Sequence, residues 1–231
     1  MITKLPRWVE YGAFLLALLA GTVNAIGLLG FQHQAVSHIS GTVTLLGTSI
    51  EALNAQTGHL FLILFSFLFG SILSGLFIES TALKLGRRYG IALCVEGFLL
   101  LGAYWLLDKN YLAGQYLASA ACGLQNAMIT TFSGAIVRTT HMTGIITDLG
   151  LMIGAKLRGE NFDYRKAKLF MFIFCGFLFG GIVGAKVFSI YSIAALLLPV
   201  ALAFLLAITY WRFLSNHNAH RYCATKLETD K

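Results

Sequence analysis

The sequence predicts an all-α polytopic membrane protein built from two inverted repeats. Composition, hydrophobic segmentation and a duplicated polar motif lead to this prediction. The 231 residues are 57% hydrophobic and 12% charged, and the mean hydropathy is +0.75. Such values exclude a soluble domain and are typical of a chain that lies mostly within a bilayer. The net charge of +7 falls in short loops and tails, so it indicates topology and contacts with membrane lipids, and we expect no nucleic-acid partner.

Eight apolar segments are visible along the chain, and each approaches the length of about 20 residues that crosses the hydrocarbon layer. They run near 12–31, 36–53, 59–79, 89–107, 113–132, 136–155, 168–188 and 191–213. The widely spaced cysteines form no CxxC pair, so we expect neither a disulfide framework nor a zinc site.

A polar motif occurs twice inside these segments. Residues 37–47 read SHISGTVTLLG, and residues 140–150 read THMTGIITDLG. A second pair precedes them, because 21–25 reads GTVNA and 123–127 reads GLQNA. Polar residues repeated at corresponding positions of two apolar halves are typical of transporters with internal repeats.

Basic residues decide how the eight segments are threaded through the membrane. They gather in four places: Lys4 and Arg7; Lys84, Arg87 and Arg88; Lys156, Arg158, Arg165, Lys166 and Lys168; and the tail from Arg212. The positive-inside rule assigns all four clusters to the cytoplasm, which eight full crossings cannot satisfy. We therefore expect segments 36–53 and 136–155 to be re-entrant or broken helices, with full crossing as the alternative. Six spans then remain, and both termini are cytoplasmic.

This threading divides the chain into two repeats, 1–110 and 111–231. Each repeat has three spans and one broken helix, near 36–53 in the first and near 136–155 in the second. Because three is odd, the repeats have opposite orientations, related by a pseudo-two-fold axis in the membrane plane. Small residues at Ser71 and Gly75, and at Gly180 and Gly184, predict close helix packing. A homodimer through these small-residue faces is the second interpretation.

The duplicated motifs also carry a resemblance to a known family. The runs SHISG at 37–41, GLQNA at 123–127 and VRTTHMTG at 137–144 resemble the YoaK-like family of bacterial multispan membrane proteins. The similarity covers almost the whole chain. It implies a bacterial inner-membrane protein, and it implies no chemistry, because the function of that family is unassigned.

The motifs themselves predict a site at mid-membrane. Gly41 and Gly144 are expected to break the helices, with Ser40 and Thr143 as N-caps. Unpaired N–H groups at two converging helix N-termini favour an anion or a polar solute. Histidines two residues before the expected caps add hydrogen-bond donors or carry a proton. The predicted solute-binding residues are His38, Ser40, Gly41, Thr44, His141, Thr143, Gly144 and Thr147.

Other polar residues in the apolar segments receive supporting roles. Asp148 and Glu96 are candidates for proton or ion coupling, since intramembrane carboxylates are usually functional. A salt bridge between Asp148 and Arg138 is the structural alternative. Asparagine and glutamine are expected to brace the breaks, and an arginine at the inner boundary to bind or gate an anion. These supporting residues are Asn24, Gln125, Asn126 and Arg138. The opposed charges leave the charge of the solute open.

The favoured function is a small transporter or channel for a polar or anionic solute. We expect no catalytic residue, metal or cofactor, because no HExxH, GxSxG or paired-aspartate motif is present. An intramembrane enzyme acting on lipid is the first alternative, since histidine and aspartate share one face of the second motif. A non-catalytic assembly or sensor subunit is the other.

Overall fold

The computed structural model is all-helical across the residues it describes, which are 8–30, 36–50, 54–78, 87–133 and 138–229, with 216–229 described by backbone alone. The α-helices are α1 (Trp8–Gly30), α2 (Ile39–Ser49), α3 (Ala55–Phe77), α4 (Arg87–Asp108), α5 (Ala113–Ser133), α6 (Met142–Leu157), α7 (Tyr164–Tyr191) and α8 (Leu197–Thr229). A 3₁₀ turn, Ser192–Leu196, joins the last two. Each of the eight predicted segments contains a helix. Lys4, Arg7 and Lys84 lie outside the described residues.

Four helical stretches are long and apolar enough to cross a membrane, as expected for a membrane protein. They are Trp8–Gly30, Ala55–Phe77, Arg87–Asp108 and Tyr164–Ser215, the last of which contains α7, the 3₁₀ turn and the first half of α8. Helix α5 is not among them, because its sequence is rich in alanine, glycine, serine and amide side chains. Most of α5 is buried, so protein rather than lipid surrounds it.

Local sequence explains where several helices begin and end. Asn54 caps α3 by accepting a hydrogen bond from the Thr57 amide at 3.0 Å, and Asp163 caps α7 in the same way. Helix α4 ends at Asp108, and Asn110 two residues later has a φ of 62°. The hydrogen bonds that follow a left-handed terminal residue are present there, from Tyr111 N to the Leu106 carbonyl and from Asn110 N to the Leu107 carbonyl. Asparagine tolerates this conformation better than other side chains do.

Helices α1 and α7 pack in parallel with their backbones in direct contact. Gly176, Gly180 and Gly184 lie against the backbone of Phe14, Leu18 and Thr22 respectively. A Cβ atom at Gly180 would clash with the Leu18 carbonyl oxygen. The Thr22 hydroxyl donates to the Gly180 carbonyl at 3.1 Å. Small residues and hydroxyl groups of this kind hold helices together in lipid, where apolar surface gives little driving force.

Helices α3 and α5 form a second parallel pair of the same kind. Gly70 lies against the Ala120 carbonyl, and Gly123 lies against the Phe67 carbonyl. The Ser71 hydroxyl donates to the Gly123 carbonyl at 3.2 Å. These contacts correspond position by position to those of α1 with α7, because Gly70 aligns with Gly180 in the duplicated sequence.

The remaining contacts set the relative directions of the helices. Helix α5 runs antiparallel to α1, since Gln125 Nε2 donates to the Leu16 carbonyl at 3.0 Å while Phe132 contacts Trp8. Helix α8 runs antiparallel to α4, because Gly97 contacts Phe204 and Gly90 contacts Trp211. Equivalent helices of the two halves therefore run in opposite directions in both pairs.

One detail of the packing prediction is wrong. Gly75 has open space beside it and is exposed, so only Ser71 of the expected pair contacts α5. The buried small residues of α3 are Gly70 and Ser74 instead. Gly70 and Ser74 each precede a residue of the expected pair by one position, because the face of α3 that carries Gly70 is turned toward α5.

Gly180→Ala should lower the stability of the protein by about 1–3 kcal/mol, because the added methyl group meets backbone that cannot move aside. Gly181→Ala is the matched control, since nothing lies within 4 Å of its Cβ position. Thermal unfolding in detergent, followed by size-exclusion chromatography, measures both. Equal melting temperatures for the two variants would contradict the close packing of α1 with α7.

Candidate functional site

Helix α2 begins inside the bundle rather than at its edge. The Ser37 amide and hydroxyl both donate to Asn24 Oδ1, at 3.3 and 2.8 Å. The Ser119 hydroxyl of α5 donates to the Val36 carbonyl at 3.2 Å and to the Ile63 carbonyl of α3 at 3.0 Å. Asn24 lies well before the end of α1 at Gly30, so the chain turns back into the bundle before α2 starts.

Helix α2 then runs back toward the end of the bundle at which α1 ends and α3 begins. The Thr57 hydroxyl, in the first turn of α3, donates to the Ser49 carbonyl at the end of α2 at 2.9 Å. Eleven residues correspond to about 16 Å of helix, roughly half the hydrocarbon thickness. The segment therefore has the length and the anchoring of a half-helix.

The N-terminus of α6 repeats the geometry of α2. The cap residues are His38, with φ −88° and ψ 65°, and His141, with φ −93° and ψ 60°. Their carbonyls accept the first helical bonds, from Thr42 N at 3.1 Å and from Ile145 N at 3.2 Å. The duplicated motif thus produces the same backbone turn twice.

The expectation that Ser40 and Thr143 cap these helices is wrong. The caps are the two histidines, and neither side chain hydrogen-bonds to the first turn. Gly41 and Gly144 lie inside the first turn and do not break it. They leave room for the ring of the preceding histidine: a Cβ at Gly41 would lie 3.0 Å from His38 Nδ1, and one at Gly144 would clash with the His141 ring. The two glycines therefore accommodate the imidazoles in the orientations that they adopt here.

Each short helix presents a small hydroxylated face. The Thr44 hydroxyl donates to the Ser40 carbonyl at 3.0 Å, and the Thr147 hydroxyl donates to the Thr143 carbonyl at 2.9 Å. These hydroxyl hydrogens are engaged, so the oxygens offer acceptor capacity outward. The exposed members of the two faces are His38, Ser40, Thr44 and Gly47 on α2, and His141, Thr143, Thr147 and Gly150 on α6.

The two short helices have different neighbours and are not packed against each other. Among the described residues, α2 contacts α3, and α6 contacts α7. Their side chains are mostly exposed, with only Thr42 buried in α2 and only Ile145 in α6. Among the described residues, the structure therefore does not bring the two motif helices into contact.

The supporting amides behave differently in the two halves. Asn24 holds the turn before α2, whereas Oδ1 of its equivalent, Asn126, is buried without a hydrogen-bond partner in the described part of the chain. Oγ1 of Thr139, just before α6, is in the same situation. Gln125 is fully buried and bonds across to α1 through Nε2, leaving its Oε1 without a described partner. Unlike Asn24 Oδ1, these buried oxygens of Gln125, Asn126 and Thr139 therefore have no described hydrogen-bond partner.

The predicted coupling carboxylates lie apart. Asp148, on α6, pairs with Lys166 of α7 at 3.6 Å rather than with Arg138, which is exposed. Glu96 is 1% exposed, but it belongs to α4, which contacts neither short helix among the described residues. Its Oε2 has no described hydrogen-bond partner. Asp148 is therefore the carboxylate that the fold leaves on a motif helix.

A polar cluster that the sequence did not indicate lies between α3 and α5. His59 Nδ1 is 2.9 Å from the Tyr116 hydroxyl, and its Nε2 is 3.0 Å from Gln115 Oε1. Each residue stands within one turn of a segment end in sequence, where polar residues are ordinary. Only the parallel packing of α3 with α5 brings them together, so no local signal would have identified the cluster.

No metal centre was found among the described residues, since no three histidine, cysteine, aspartate or glutamate side chains are grouped in them. A family model for a protein of unknown function, DUF1275, matches residues 12–209. The chain belongs to the DUF1275 family. No match was found among curated proteins or solved structures. The DUF1275 match covers both duplicated motifs, and it agrees with the expectation of a family without an assigned function.

Asn24→Ala should loosen the turn that precedes α2, because the Ser37 amide and hydroxyl lose their acceptor. Hydrogen exchange at the Ser37 amide, measured in detergent by mass spectrometry, should accelerate about tenfold for a lost hydrogen bond of about 1–1.5 kcal/mol. Asn126→Ala is the matched control, since its Oδ1 has no described partner. Unchanged exchange in Asn24→Ala would contradict the anchoring role.

Proposed function

We propose that this protein is a small integral-membrane transporter or channel for a small polar or anionic solute, which passes between the two histidine-capped helices. One observation carries the proposal: α2 and α6 start with the same backbone turn, and the turn before α2 is anchored within the bundle. Broken backbone at such depth persists in membranes where it is buried in protein or lines a polar path.

The proposed architecture is an inverted repeat of 1–110 and 111–231 with six crossings and two re-entrant helices. Equivalent glycine contacts join α1 with α7 and α3 with α5. Antiparallel packing of α1 with α5, and of α4 with α8, supports opposite orientations of the halves. A pseudo-two-fold axis in the membrane plane would relate such halves.

The proposed location is the bacterial inner membrane with both termini in the cytoplasm. Helix α1 begins at the same end of the bundle as α7, because Glu10 pairs with Arg165 at 3.5 Å and with Lys168 at 3.2 Å. Helix α4 begins at Arg87, and α8 reaches that end through Trp211. Basic residues thus gather at one end, which the positive-inside rule assigns to the cytoplasm.

The chemistry of the helix starts supports a polar or anionic solute. The amides of Ile39, Ser40 and Gly41 precede the first helical hydrogen bond of α2, and those of Met142, Thr143 and Gly144 precede that of α6. N–H groups at a helix start, with the partial positive charge of the helix dipole, attract negative charge. The imidazoles of His38 and His141 add two polar groups beside them.

Asp148 is the proposed coupling residue of this path. It is the carboxylate on α6, and its ion pair with Lys166 joins α6 to α7. Protonation of Asp148 would remove that ion pair, which is one of the contacts between the two helices. A transporter would couple proton uptake to this change, whereas a passive channel would not need it.

Cysteine labelling tests the six crossings. In a variant without native cysteines, Gln56→Cys and Leu112→Cys should react with a membrane-impermeant maleimide added outside whole cells. Asn161→Cys should react only after permeabilisation. All three positions are exposed. Eight full crossings place all of them in the cytoplasm, so protection of Gln56→Cys and Leu112→Cys would refute the re-entrant arrangement.

Proteoliposome shrinkage and swelling test the transport function. With sodium formate and urea as separate osmotic probes, light scattering should report faster solute entry than in empty vesicles for at least one probe. His38→Ala and His141→Ala should each slow entry about tenfold, the effect expected from losing about 1.4 kcal/mol of polar interaction.

The matched control is Thr48→Ala, on the same short helix, because its hydroxyl donates only to the Leu45 carbonyl at 3.0 Å in the described structure. Folded histidine variants with wild-type flux would contradict a path between the motifs. A new product formed from lipid, without flux of either probe, would favour the intramembrane enzyme.

A further inference from the structure

A cavity of about 300 Å³ lies between α1, α4, α5 and α8, on helices other than the two short ones. It is found where α1 and α4 begin and α5 ends. Its walls are almost entirely apolar and rich in aromatic rings, among them Trp8, Tyr89, Phe132, Tyr210 and Phe213. The volume equals the lower bound for pockets that hold small ligands.

The cavity occurs where the two halves of the chain pack differently. Helix α4 fills the space beside Gly114 of α5, because a Cβ there would lie 2.5 Å from Leu107 and 2.7 Å from the Ala103 carbonyl. Gly12 of α1 is its equivalent in the duplicated sequence. Nothing lies within 4 Å of a Cβ at Gly12, and Gly12 lines the cavity. The close helix contact at Gly114 in the second half is thus absent at Gly12 in the first half.

A residue that lines the same space carries a buried polar atom. Tyr89 is 8% exposed and lines the cavity, and its hydroxyl has no hydrogen-bond partner among the described residues. A buried hydroxyl without a partner costs about 1–3 kcal/mol. An occupant with one acceptor oxygen beside an apolar chain would remove that cost.

Two cationic side chains lie at this end of the bundle, beside residues that line the cavity but outside its lining. Arg87 begins α4, two residues before Tyr89, and Arg212 lies in α8 between Tyr210 and Phe213; both arginines are exposed. Trp211 Nε1 donates to the Arg87 carbonyl at 3.5 Å, which holds the two helices together here. Arginine pairs with phosphate oxygens in a bidentate geometry.

We propose that this cavity is a binding site for an anionic phospholipid. One acyl chain occupies the apolar space beside Gly12, an ester carbonyl oxygen accepts a hydrogen bond from Tyr89, and the phosphate lies against Arg87 and Arg212. An acyl chain gains little by leaving other chains for an apolar wall. Selectivity must therefore come from the headgroup, and basic pockets between membrane helices favour anionic ones.

Tryptophan quenching by brominated lipids tests the site. In a Trp105→Phe background, Trp8 and Trp211 remain near the cavity. Full-length protein in detergent is titrated with dibrominated phosphatidylglycerol or dibrominated phosphatidylcholine. Dibrominated phosphatidylglycerol should quench the fluorescence at a lower concentration than dibrominated phosphatidylcholine. Arg87→Gln and Arg212→Gln should each reduce this preference about fivefold. Tyr89→Phe should weaken both lipids alike, since both carry ester carbonyls.

Gly12→Leu should remove the preference by filling the cavity, and Gly75→Leu is the control, because both glycines have open space around their Cβ positions. A preference retained in folded Gly12→Leu would show general attraction to a basic surface and overturn the proposal. Equal quenching by the two lipids in the parent protein would also overturn it. An unchanged preference for phosphatidylglycerol in the Arg87→Gln, Arg212→Gln double variant would overturn the proposal as well, whether or not Gly12→Leu folds.

Discussion

The structure depends on keeping broken backbone satisfied inside an apolar bundle. Just before α2, Asn24 accepts a hydrogen bond from the Ser37 amide, and Ser119 donates one to the Val36 carbonyl. A lipid environment offers no water to replace them. Because Asn24 is on α1 and Ser119 on α5, the turn depends on the close packing of those helices with α7 and α3. The backbone contacts at Gly180 and Gly70 therefore support the site indirectly.

Much of this organisation could be predicted from sequence because hydrophobic length and motif spacing are local signals. The eight segments, the duplicated motif and the importance of Asn24 are legible in the printed chain. The helix caps could not be predicted, because His38 and Ser40 both stand before an apolar run. Only the backbone shows which of them starts the helix. The contacts of His59 with Gln115 and the cavity beside Gly12 depend on distant segments. No periodicity in one segment predicts them.

The turns before α2 and α6 share a backbone geometry at the helix start but differ in how the nearby amide side chain is used. The first turn is bonded through Asn24, whereas Asn126 and Thr139 keep buried oxygens without described partners beside the second. Such atoms are costly unless water or a ligand reaches them. Water or a polar ligand that reached Asn126 or Thr139 would remove this cost. Asp148 lies on α6, in the same half of the chain as these two residues.

Lipid and solute would act on different faces of the same two helices. Helices α1 and α5 carry Asn24 and Ser119 toward the start of α2, and they carry Gly12 and Phe132 toward the aromatic cavity. Gln125 links them through the Leu16 carbonyl. A lipid that fixes the distance between α1 and α8 would act on α1, and hence on the helix that holds Asn24 against Ser37. Helix α1 would belong to both proposed sites.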